Sequence, residues 1–63
     1  MALLQIYDGL ENPPKLLERH SAQTAGELIQ RADALSEKEH ARGYPRNTYI
    51  VYNNDGERVY QRW

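Results

Sequence analysis

Thr48-Tyr49-Ile50-Val51-Tyr52-Asn53-Asn54-Asp55-Gly56-Glu57-Arg58-Val59-Tyr60-Gln61-Arg62-Trp63 is the stretch whose reading decides the fold. Two runs rich in β-branched and aromatic residues, 48–52 and 57–63, flank the polar turn formers Asn53-Asn54-Asp55-Gly56, and that arrangement predicts a β-hairpin. Register then decides what the hairpin displays. A three-residue Asn54-Asp55-Gly56 loop with Gly56 in the left-handed conformation puts Val51 opposite Val59, with Tyr49, Gln61 and Trp63 on the same face. The opposite face carries Ile50, Tyr52, Arg58, Tyr60 and Arg62. A two-residue Asp55-Gly56 turn would slip the pairing by one residue and redistribute those side chains. The three-residue loop is the reading adopted.

Upstream of the hairpin, Thr24-Ala25-Gly26-Glu27 has the form in which a threonine side chain and a glutamate side chain satisfy each other's orphan backbone N–H groups at a helix start. Ala25, Leu28, Ile29, Ala32 and Leu35 recur at helical spacing as one apolar stripe, with Glu27 and Arg31 paired on the polar side. Lys38, His40 and Arg42 bring positive charge to the last turn, and Gly43 and Pro45 stop the helix. A helix over residues 24–41 is therefore expected.

At the other end of the chain, Leu3-Leu4-Gln5-Ile6-Tyr7 reads as a first strand, closed by the Asp8-Gly9 turn signal. Asn12-Pro13-Pro14 is a loop, because a residue before proline is pushed out of the helical region. Residues 15–21 admit two readings. A continuous helix from Pro13 to Ala41 would be ~44 Å long, whereas a compact chain of 63 residues has a radius of gyration near ~11 Å. The break is preferred, with Lys15 to Ser21 as an irregular second strand that packs Leu16 or Leu17 inward.

These elements define one α+β domain spanning residues 1–63. A single helix packs on a three- or four-stranded antiparallel sheet, in the order βαββ or ββαββ. A chain this short buries only ~60% of its unfolded surface, and a core of this size rarely supplies more than ~3–5 kcal/mol of net stability. Cysteine is absent, so disulfides give no support. His20 and His40 alone do not complete a tetrahedral zinc site. A second subunit or another partner is the expected support, and a homodimer is one form it can take; Trp63 is expected as a core or dimer-seam anchor.

The sequence offers little chemistry. His20 and Ser21 are neighbours, and adjacent residues of an extended segment point to opposite sides, so His20 is badly placed to take a proton from Ser21. Asp8 and Glu11 are too sparse for a calcium loop. The four glycines are too scattered to cradle a phosphate. No cofactor is expected, and the protein reads as non-enzymatic. With neither a secretory leader nor ~20 consecutive apolar residues, the expected setting is cytoplasmic, away from membranes.

Net charge is −1 overall but uneven. Residues 1–41 carry four basic against seven acidic side chains, a net of −3, and residues 42–63 carry four against two, a net of +2. Arginine and tyrosine are enriched in the energetic centres of protein interfaces. The hairpin face of Ile50, Tyr52, Arg58, Tyr60 and Arg62 is therefore the expected contact surface of a small intracellular regulator or inhibitor that binds another protein. The alternative is nucleic-acid binding through Arg42, Arg46, Arg58 and Arg62. It ranks second, since a local +2 beside a −3 remainder is weak against a polyphosphate.

Overall fold

In the computed structural model, which describes residues 1–43 and 46–62, the elements run β1 (Ala2–Asp8), β2 (Lys15–Ala22), α1 (Ala25–Ala41), β3 (Asn47–Tyr52) and β4 (Arg58–Arg62). All four strands form one sheet in the order β2-β1-β3-β4, and every neighbouring pair is antiparallel. β2 and β3 both oppose β1, so they run parallel to each other, and α1 supplies the crossover that parallel strands require. The fold is α+β, with the expected C-terminal hairpin and the four-stranded form of the sheet.

Each helix boundary has a local cause. Thr24 is extended (φ −128°, ψ 150°), and its Oγ1 accepts a hydrogen bond from the Glu27 N–H at 3.4 Å, which removes one of the four orphan donors of the first turn. At the far end Gly43 adopts φ +84° and donates to the His40 carbonyl at 2.8 Å. Pro45 lies outside the described residues. Between the caps the apolar stripe is as the spacing predicted: Leu28 and Ala32 are wholly buried, while Ala25, Ile29 and Leu35 pack at the margin of the core. Ser36 falls on the same stripe and is also fully buried.

The partner of that stripe is one face of the sheet. Burial alternates strictly along β1, with Ala2, Leu4 and Ile6 buried, and Tyr49 and Val51 of β3 join them beneath the helix. This is the period-two pattern of a sheet covered on one side only. Residues 15–21 are a strand, which resolves the two readings above, but neither Leu16 nor Leu17 packs inward: they are 41% and 45% exposed. Glu18, His20 and Ala22 lie opposite the inward residues Ile6, Leu4 and Ala2, and an irregularity beside Ile6 and Tyr7 leaves Leu17 without a cross-strand partner. Leu16 then pairs with the outward Tyr7.

The hairpin needs a larger correction. Its loop is the expected one: Asn53 N–H donates to the Glu57 carbonyl at 2.9 Å, Gly56 takes φ +81°, and Asn53 Oδ1 accepts from the N–H groups of Asp55 and Glu57 at 2.9 Å each. Tyr52 pairs with Arg58 as that loop requires, but a bulge follows and Val51 pairs with Tyr60 in place of Val59. The extra residue shifts the rest of β4 by one position. Tyr60 and Arg62, expected beside Ile50, Tyr52 and Arg58, lie on the helix side opposite Val51 and Tyr49, and Gln61 moves to the outer face opposite Ile50. Trp63 lies outside the described residues.

Two glycines separate local demand from packing. Gly56→Ala should lower the urea midpoint by the equivalent of about 1–2 kcal/mol, because an L side chain at positive φ is strained. Gly26→Ala, on an open helical position with nothing within 4 Å of the added carbon, should leave stability unchanged or raise it by up to about 1 kcal/mol.

Candidate functional site

Because α1 covers one side of the sheet, the other side is a face without a second layer among the described residues. Its outward positions form three rows across the strands. Leu16, Tyr7 and Thr48 make the first. Arg19, Gln5, Ile50 and Gln61 make the second, and Ser21, Leu3, Tyr52 and Arg58 the third. Leu3, Tyr7, Ile50 and Tyr52 are only half-buried. The two inner strands therefore present an apolar and aromatic strip, and the two arginines stand on the outer strands at opposite edges. No outward strand position carries a carboxylate.

Small polar contacts order this face. Tyr7 Oη donates to Gln5 Oε1 at 2.8 Å, and Arg58 Nη1 donates to Gln61 Oε1 at 3.3 Å. At the β1 start an open cleft of about 380 Å³ is lined mainly by Met1, Leu3, Gln5, Tyr52, Asn53 and Asn54. Met1 is 77% exposed there.

Of the expected contact residues, the structure brings Ile50, Tyr52 and Arg58 together on the open face and removes two. Tyr60 Oη donates to Asp33 Oδ1 of α1, and Arg62 Nη1 donates to the same oxygen at 2.9 Å. The hydrogen bond from Tyr60, followed by that from Arg62, holds the Asp33 carboxyl below the usual carboxylate range. The same Asp33 contact pushes the Tyr60 phenol up. These groups fasten β4 to the helix.

The four arginines of the nucleic-acid alternative do not form one patch. Arg46 Nη2 donates to Asp8 Oδ2 at 2.8 Å, and that bond, with a second from the Leu10 N–H, lowers the Asp8 pKa. Arg62 is taken by Asp33. Arg42 caps the helix at the end of the molecule where β3 begins, whereas Arg58 pairs with Tyr52 where β3 ends, about 17 Å along the strand at ~3.4 Å per residue.

Nor are the nucleophile candidates assembled. His20 lies on the helix side, with Nε2 at 3.2 Å from Glu18 Oε1 and Nδ1 at 3.5 Å from Arg31 Nη1. Ser21 points to the open face opposite Leu3. On the helix side Tyr49 Oη donates to Glu39 Oε2 at 2.9 Å, and burial, then that bond, raises the phenol pKa.

Sequence reasoning overlooked Leu3, Tyr7 and Arg19 as members of the open face. The alternation of β1 was a signal for the first two, since Leu4 and Ile6 inward require Leu3 and Tyr7 outward. Arg19 needed the register of β2, which depends on the bulge. The chain matches no known protein family, no curated protein and no solved structure.

The Asp33 cluster predicts an acid dependence. Its lowered pKa means that the contribution is present above the ordinary carboxylate value of 3.8 and is lost as pH falls through the lower folded value. Urea midpoints followed from pH 6 to pH 2 should drop on the acid side, and Asp33→Asn should flatten that drop while lowering the midpoint at neutral pH. An unchanged acid limb would show that Asp33 is not one of the carboxylates responsible.

Proposed function

We propose that this chain is a non-enzymatic protein-interaction module, of the kind expected of a small intracellular regulator or inhibitor, that docks a protein partner on the open face of its sheet through Ile50, Tyr52 and Arg58 together with Leu3 and Tyr7. The observation that carries the reading is the half-buried strip of Leu3, Tyr7, Ile50 and Tyr52 on a face with no covering layer among the described residues. A sheet face of that composition is stable when a second layer packs on it. Tyr52 and Arg58 are directly paired and belong to the residue types that dominate binding energy. Tyr60 and Arg62 support the reading indirectly, by holding β4 against α1 so that its outer side stays in place.

Nucleic-acid binding through Arg42, Arg46, Arg58 and Arg62 has less behind it. Two of the four guanidinium groups are engaged with Asp8 and Asp33, and the other two are at opposite ends of β3. A phosphate backbone needs a continuous positive track.

The test compares proteins captured from the native host by the wild-type chain, by Tyr52→Glu and by Gln30→Glu, the last on the exposed side of α1. Circular dichroism should show all three folded. Partners retained by wild type and Gln30→Glu and lost by Tyr52→Glu support the reading, and identical captures by all three overturn it.

A further inference from the structure

We infer that the segment docking on this face is an amphipathic helix with an apolar stripe against β1 and β3 and carboxylates along both flanks. The inference rests on the interaction reading above and specifies its partner class.

Charge and spacing carry it. Arg19 on β2 and Arg58 on β4 stand in adjacent cross-strand rows at opposite edges of the face, and both are exposed. Neither forms an ion pair among the described residues. Three interstrand steps separate their strands, about 14 Å. A helix with its side chains is about 10–12 Å across, so one helix seated on the two inner strands lies between the two guanidinium groups. Its flanking residues come within their reach. Adjacent rows are about 7 Å apart along the strands, close to one helical turn of 5.4 Å, so carboxylates staggered by a turn on opposite flanks meet the two arginines. The open cleft beside Leu3 and Tyr52 receives one large apolar anchor from the same stripe.

A second copy of the chain fits less well. With the strands of the two copies aligned, a two-fold axis between stacked sheets places β2 over either the other copy's β2 or its β4. Both put an arginine edge over an arginine edge, with no outward carboxylate to separate them, and like charges held together in an interface are costly. The outer side of α1 is no better as an occupant, because its exposed positions, which include Glu27, Gln30, Arg31, Glu37, Lys38 and His40, offer no apolar stripe.

The probes are two synthetic peptides of about 14 residues, long enough to be helical when docked. They share a leucine stripe and differ only in carrying glutamate or lysine on both flanks. Titrated into the isotopically labelled full chain, the glutamate peptide should shift the amide signals of Leu3, Ile50 and Tyr52 and bind more tightly than the lysine peptide. Arg19→Glu with Arg58→Glu should weaken the glutamate peptide by about ten-fold or more, two exposed ion pairs being lost, and should reverse the preference between the peptides.

Equal affinity for the two peptides, shifts confined to α1, or no binding of the glutamate peptide at about 1 mM would overturn the inference. So would open-face shifts produced by a single-stranded oligouridine but not by the glutamate peptide, or a dimer in light scattering that Tyr52→Glu dissociates. If the glutamate peptide fails while Tyr52-dependent capture of host proteins persists, the partner class is wrong and the interaction reading survives. If that capture fails too, both fall.

Discussion

Leu4, wholly buried at the centre of an inner strand, packs with Ile6 against Leu28 and Ala32 of the helix. The organisation of the molecule follows from that contact. It assigns the even-numbered positions of β1 to the interior, and strand geometry then sends Leu3, Gln5 and Tyr7 to the other side. β2 and β3 inherit their orientation by pairing with β1 on either edge. A one-residue slip of β1 would bury Gln5 and expose Ile6, so the apolar contact specifies the register as well as stabilising it. Since one helix of 17 residues covers one side, the other side is left without a layer by the same choice.

The parts of this fold legible in the sequence are those with a local cause. Thr24 accepts a hydrogen bond three residues on, Gly43 and Gly56 take backbone conformations that few other residues tolerate, and the stripe from Ala25 to Leu35 has a helical period. Each can be read within a window of a few residues. The bulge at Val59 has no such window. It is compatible with Tyr60 and Arg62 reaching one carboxylate oxygen of Asp33, 27 and 29 residues earlier in the chain, and no pattern within Glu57 to Trp63 reveals that. The same holds for β2, where Leu16 or Leu17 is expected inward and the irregularity near Ile6 and Tyr7 pairs Leu16 with the outward Tyr7. Of the five expected contact residues, Tyr60 and Arg62 follow the bulge on β4 and change face, whereas Arg58 pairs with Tyr52 on the turn side of it and Ile50 shares the outward face of β3 with Tyr52.

The charge asymmetry between the two parts of the chain is not an asymmetry of the folded surface. Arg46 returns to Asp8 and Arg62 to Asp33, so half of the basic C-terminal set is balanced by acids from the first 41 residues. The Arg62–Asp33 pair is partly exposed on both sides, and the Arg46 that meets the buried Asp8 is itself half-exposed, so solvent screens both pairs. Their effect is positional: Asp8 also accepts from the Leu10 N–H and ties the end of β1 to the residue that leads into β3. What remains on the open face is a small cationic margin around an apolar centre.

The irregularities at Leu17 and Val59 have a further consequence, because both occur on the outermost strands, β2 and β4. A regular outer strand offers an unbroken row of backbone donors and acceptors on which another chain can crystallise into a growing cross-β stack. Here each rim is kinked by an unpaired residue and studded with lysine or arginine, so neither is a good template. The molecule can leave an apolar plane open to solvent while denying fibrils a straight border from which to grow.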